Sequence, residues 1–186
     1  MVIVAKDLSV EGVFDGVTLE AADNTLTVVA GATGSGRTSL LLTLSGRMKP
    51  TRGALEVAGH SRPRAIRKVA ALALVDGVTD LDRALTVKEH LHERRRRGRH
   101  AEALEGAGLD VDQRTLVREL DREQQVRLGV ALALLDSPAV IVADNIDAGL
   151  PPERRLALWE LLEGLPTAVV ASCVTPPARY DHLVEL

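Results

Sequence analysis

Three aromatic residues, Phe14, Trp159 and Tyr180, are all that the 186-residue chain contains. Its core must therefore be built from Leu, Val, Ala and Ile, which the 46% hydrophobic content supplies. Cysteine occurs once, at Cys173, so a disulfide framework and a cysteine-based zinc site are both excluded. Lysine is scarce as well: Lys6, Lys49, Lys68 and Lys88 are the only four among 23 basic residues. No apolar stretch reaches the length of a membrane-spanning helix; the longest, VALALL and AVIVA, suit core elements. The opening MVIVAKDLSVEG lacks a basic segment followed by a long apolar run, so no signal peptide and a cytoplasmic location are expected. The net charge of −3 argues against a general nucleic-acid binder. In so arginine-biased a chain, the run RRRRGRH (94–100) reads as a solvated helix end before it reads as a patch for acidic lipid or a partner.

What is present is an alternation of buried strands and helices. IVAKDLSV and VTLEA read as short edge strands, and TLTVVA (25–30) as a buried strand. RTSLLLTLSGRM follows as an apolar helix in which Gly46 is either interior or terminal. KVAALALV (68–75), AVIVAD (139–144) and TAVVAS read as further buried strands, and HLVEL as the last strand. EQQVRLGVALALL (123–135) and PPERRLALWELLEGL read as helices, the second with prolines at its start. Residues 78–118 are charged and helical in pattern, broken by Gly98, Gly106 and Gly108. The expected fold class is α/β, with a mainly parallel sheet flanked by helices.

The stretch GATGSGRTS carries the chemistry: Gly31, Ala32, Thr33, Gly34, Ser35, Gly36, Arg37, Thr38 and Ser39. A strand, then glycines at 31, 34 and 36, then a helix is the context of a phosphate-binding loop. Glycine permits positive φ, so successive N–H groups turn inward around an anion, and the helix adds the positive end of its dipole. Thr38 occupies the hydroxyl position that reaches Mg²⁺. Asp144 ends a buried strand, where an acid holds Mg²⁺ at the ligand-binding edge of an open α/β sheet.

These motifs, with VFDGVTLEA, LLLTLSGRMKPTRGALEVAGH, LTVKEHL, LDREQQVRLGVALALLDSPAVIVADN and TAVVASCVTP, make the chain resemble the ATP-binding cassette domain of ABC transporters nearly end to end. The resemblance implies a P-loop NTPase fold with an N-terminal antiparallel β portion and a reduced helical subdomain. The whole, 1–186, would form one domain, with 1–77 and 137–186 as core and 78–136 as the helical subdomain. It also implies ATP and Mg²⁺ as cofactors. The implied partners are a separate permease-like membrane protein, docked through the helical subdomain, and a second ATP-binding subunit in a head-to-tail homodimer or heterodimer. The implied location is the inner face of the cell membrane, as a peripheral protein.

Against that family the chain departs at each catalytic position. Arg37 replaces the loop lysine, and Asp76, a further candidate for the metal, replaces the glutamine that senses it. The Leu-Ser-Gly-Gly-Gln signature reads Leu120, Asp121, Arg122, Glu123, Gln124, with the Asp121…Gln124 spacing of a capping box. Asn145 replaces the glutamate that serves as base, and Cys173 the switch histidine. No aromatic stands near residues 9–11 to stack on adenine, and the D-loop reads IDAGLP. Three readings follow: a nucleotide-binding subunit with little or no hydrolysis that regulates or anchors a membrane protein, a slow ABC-type ATPase driving transport, and a nucleotide-free scaffold.

Overall fold

The computed structural model describes residues 1–75, 77–94 and 99–186. Asp76 lies outside the described residues, as do Arg95 to Gly98 of the basic run. The first sheet is antiparallel, with strands β1 (Ile3–Val10), β2 (Phe14–Ala21) and β4 (Arg52–Val57) in the order β2-β1-β4. β1 is therefore the central strand of this sheet and not the edge strand its mixed polarity suggests. Lys6 is exposed on the face turned away from the core, and Asp7, exposed as well, sits where the register shifts with φ +49°, a bulge.

The second sheet holds β3 (Leu26–Ala30), β5 (Ala70–Leu72), β6 (Val140–Ala143), β7 (Ala168–Cys173) and β8 (His182–Glu185). Its order is β5-β6-β7-β3-β8, and each neighbouring pair is parallel. Every residue of β3, β6 and β7 is buried, which is why they read as continuous apolar runs without alternation. The two faces feed separate cores. Val28, Ile141 and Val169 pack on the side of helices α5 (Arg122–Leu134) and α6 (Pro152–Glu163). Val29, Val142 and Val170 pack with α1 (Arg37–Leu44) and the antiparallel sheet.

The run KVAALALV divides differently from the expected single strand. Helix α2 (Pro63–Val69) takes its first two residues, and β5 only Ala70–Leu72. Pro63 at the first turn and Arg67 and Lys68 in the last turn suit a helix start and end. Ladder bonds still run past the regular strand, with Ala73 N–H donating to Val142 (2.8 Å) and Asp144 N–H to Leu74 (2.9 Å). Gly46 proves terminal: α1 stops at Leu44, and Arg47 N–H closes back on the Leu42 carbonyl at 2.8 Å.

Between β5 and β6 the described residues form α3 (Val87–Glu93), α4 (His100–Gly106), a 3-10 turn (Val117–Glu119) and α5. Thr86 and Glu89 cap α3 reciprocally, and Arg94 ends it. α5 lies close on the sheet because residue 129 has no side chain: a Cβ there would stand 2.7 Å from the Ala73 carbonyl oxygen. Gly129→Ala is accordingly expected to destabilise the chain by about 1–3 kcal/mol, since backbone, not a flexible side chain, must yield. Urea unfolding checks this; an unchanged midpoint would mean that α5 sits less tightly than described.

Candidate functional site

Strand register assembles the site. β6 and β7 pair Ala143 with Ala171, so the next residues, Asp144 and Ser172, meet at the carboxyl edge of the sheet. β3 and β7 pair Ala30 with Cys173, which brings Gly31 to the same edge, its N–H on the Cys173 carbonyl at 3.3 Å. Residues 31–36 then form the loop, and α1 begins at Arg37. Gly36 is doubly constrained: its φ is +98°, and a Cβ would stand 2.8 Å from the carbonyl oxygen of Val13 in the β1–β2 turn. Val13 carries no chemistry visible in the sequence, yet it backs the loop.

The start of α1 has no side-chain cap and no acidic residue in its first turn. Its N–H groups and dipole therefore remain open to an anion. Arg37 is buried at 6% exposure, and its Nη1 has no hydrogen-bond partner among the described residues; the same holds for Ser35 Oγ in the loop. A buried guanidinium nitrogen without a partner needs an acceptor, and a phosphate oxygen bound at the loop would supply one. The residues present thus fit the phosphates of a nucleotide, with Arg37 in place of a slimmer lysine.

Thr38 and Asp144 meet directly, with Thr38 Oγ1 donating to Asp144 Oδ2 at 2.6 Å. Ser172 Oγ donates to the other carboxylate oxygen and accepts from Asn145 N–H at 2.9 Å. Sequence reasoning missed Ser172, although its place at the end of a buried strand signals a functional edge. The hydroxyl of Thr38 and the carboxylate of Asp144 are hard oxygen donors that suit Mg²⁺, which keeps waters and takes phosphate oxygens for its other positions. Among the described residues no group of three or more His, Cys, Asp or Glu is arranged to hold a metal.

The two positions beside Asp144 are chemically quiet. Asn145 has φ +45° and carries an amide that is not a base at neutral pH. Cys173 is fully buried, and desolvation, helped by the Asp147 charge, pushes its thiol up to about 12. It stays protonated and apolar in character, a core residue in the position of a switch.

The start of α5 is the opposite of the start of α1. Asp121 accepts from Gln124 N–H at 2.9 Å, and Gln124 Oε1 accepts from Asp121 N–H at 3.0 Å, a complete capping box. Arg154 of α6 donates to Asp121 Oδ2 at 2.5 Å and stands 3.7 Å from Glu123. Arg127 pairs with Glu123 at 2.7 Å. Arg122 reaches back within its own chain to the Asn145 carbonyl, at 3.4 Å. Leu120 is buried and Gln124 is committed to the cap. Nothing in local sequence pattern points to Arg154, which lies on another helix.

With this geometry in place, the comparisons with known proteins are specific. The sequence profile of the ABC transporter family matches residues 14–148. The chain belongs to the ABC transporter family of ATP-binding subunits. A daunorubicin resistance ATP-binding protein of Streptomyces coeruleorubidus is 31% identical over 164 residues, which cover 81% of this chain and 51% of that protein. Nod factor export ATP-binding protein I of Paraburkholderia xenovorans is 30% identical over 172 residues, 87% of this chain and 57% of that one. The chain spans about half the length of the curated relatives it matches. Among solved structures, a putative ABC transporter ATP-binding protein from Pyrococcus furiosus superposes with a TM-score of 0.84 at 19% identity, covering 99% of this chain and 96% of that one. That likeness establishes the P-loop ABC ATPase fold. No helix among the described residues is long and apolar enough to cross a membrane.

The capping box of this ABC chain makes a testable statement. The Gln124 amide, and after it Arg154, hold the Asp121 carboxyl below its ordinary range. A depressed folded pKa stabilises the fold above the unfolded value and ceases to do so as pH falls through the folded value. Asp121→Asn retains a capping side chain without the charge. Its destabilisation, at most about 1 kcal/mol, is expected to be constant at neutral pH and to fade as pH drops through the folded pKa, below the ordinary carboxylate range. Paired thermal melts across that range measure it; a difference independent of pH would mean that the carboxylate charge contributes nothing.

Proposed function

We propose that the chain holds MgATP at the Gly31–Ser39 loop with little or no hydrolysis, and that it regulates or anchors a separate membrane protein. The observation that supports this reading is the pairing of an anion-ready loop with the loss of proton-accepting groups at Asn145 and Cys173. Arg37 offers a buried, unpartnered guanidinium nitrogen, while Asn145 and the protonated Cys173 offer no group to take a proton from water. Thr38 and Asp144 would hold Mg²⁺, which when bound would supply neutralisation of the phosphate charge. Ser172 would keep the Asp144 carboxylate turned towards Thr38. The capped start of α5, carrying two carboxylates, is unsuited to complete a phosphate site in another subunit. In this reading even a head-to-tail heterodimer has two compromised sites, one lacking an intact signature and the other built on the altered loop. The segment 78–136 is the helical subdomain that meets the membrane protein, with the chain peripheral on the inner membrane face.

Titration calorimetry with MgATP, on wild type and Gly36→Val, tests the binding. Wild type is expected to bind, and the variant to lose binding because a side chain at 36 fills the loop and meets Val13. Equal binding in both would place the nucleotide elsewhere, and no binding in wild type would favour the scaffold reading.

Turnover separates static binding from slow hydrolysis. Arg37→Lys is expected to raise affinity while changing kcat by less than about tenfold, because the base is still missing. Adding Asn145→Glu to it is expected to raise kcat by about 100-fold or more. A large gain from Arg37→Lys alone would identify the chain as a slow ATPase limited by its loop.

A further inference from the structure

At the opposite edge of the parallel sheet from the phosphate loop, Arg47, Arg67, Lys68 and Arg94 line one cleft of about 370 Å³. Ala70, where β5 begins, and Pro138, ahead of β6, form part of its wall. Arg47 follows the carboxyl end of α1, whose amino end forms the loop, and Arg94 ends α3. Four cations from three segments, Arg67 and Lys68 being neighbours on α2, thus converge in a chain whose net charge is −3.

Two of them, Arg47 and Arg67, are held there by backbone carbonyls. Arg47 Nη1 donates to the Ser45 and Ala70 carbonyls at 2.9 and 3.2 Å, and Arg67 Nε to the Gly46 carbonyl at 2.7 Å. Each anchor occupies one nitrogen and leaves the rest of the guanidinium fork for another acceptor. The one carboxylate in the lining, Asp136, makes only a long 3.5 Å contact with Arg94. Desolvation in the cleft, and then the neighbouring Arg67 and Arg94 charges, lower the Arg47 pKa, so the cations crowd one another.

We propose that this cleft is a second oxyanion site, independent of the phosphate loop, which takes a compact polyphosphate anion of the pyrophosphate class. A single carboxylate would offset one of the four charges. An anion with several phosphate oxygens engages forks from more than one arginine together with the lysine. Thr79 adds a hydroxyl to the lining. This inference does not rest on nucleotide binding at Arg37.

Inorganic pyrophosphate is the probe, titrated calorimetrically into Gly36→Val, where the loop is blocked. One binding event is expected to remain. Arg67→Gln with Lys68→Gln in that background is expected to weaken it at least tenfold, and Lys68→Glu alone, at an exposed position, to weaken it with an unchanged melting temperature. Absence of a pyrophosphate event in Gly36→Val overturns the proposal, as does an event unaffected by these substitutions. A third outcome also overturns it: a glutamate-rich peptide binds with the same residue dependence while pyrophosphate does not, which would make the cleft a docking surface for an acidic protein segment.

Discussion

The carboxylate of Asp144 is gripped by two hydroxyls, Thr38 from α1 and Ser172 from β7, and the geometry of the whole edge follows from that grip. It ties together three segments far apart in sequence: the helix after the loop, the strand that carries the acid and the neighbouring strand. The acid is 2% exposed, so its charge is tolerable only because both oxygens are hydrogen-bonded. Parallel register makes the arrangement possible. Because β3, β6 and β7 all end at one edge, their last residues converge without any long loop to position them.

Two helix starts in this chain meet the same electrostatic problem with opposite outcomes. Each leaves amide groups and a positive dipole end to be satisfied. α1 leaves them uncapped beside a buried arginine, so an external anion is the natural partner. α5 satisfies its own with Asp121 and holds Glu123 nearby, and the two acids are tied to Arg154 and Arg127. A helix end that the family resemblance presents as a ligand site has become an internal joint between α5 and α6.

Much of this was legible in the sequence because it depends on local chemistry. The loop glycines, the buried apolar strands and the Asp121…Gln124 box are short-range patterns whose geometry follows from backbone rules. The α2–β5 division was not legible, since Lys68 to Val75 has no strong period and its fate is decided by where β6 begins to offer hydrogen bonds. Ser172 and Arg154 were missed for a related reason. Their partners, Asp144 and Asp121, lie 28 and 33 residues away, and only strand register and helix packing bring them together. The central position of β1 was hidden too, because exposed Lys6 and Asp7 look the same on an edge strand as on a central one that has an open face and a bulge at Asp7.

The joint at the start of α5 contains two acids, Asp121 and Glu123, and two arginines, Arg127 and Arg154, each within ion-pair distance of an opposite charge. Viewed from outside, such a cluster is a multipole whose field dies away within a few ångströms, far inside the Debye length of physiological salt. These four side chains therefore add no net pull or push of their own on a protein approaching this face, and its charge there rests with Arg122, which has only the Asn145 carbonyl as partner. The salt dependence of association would accordingly be weaker there than at the four-cation cleft.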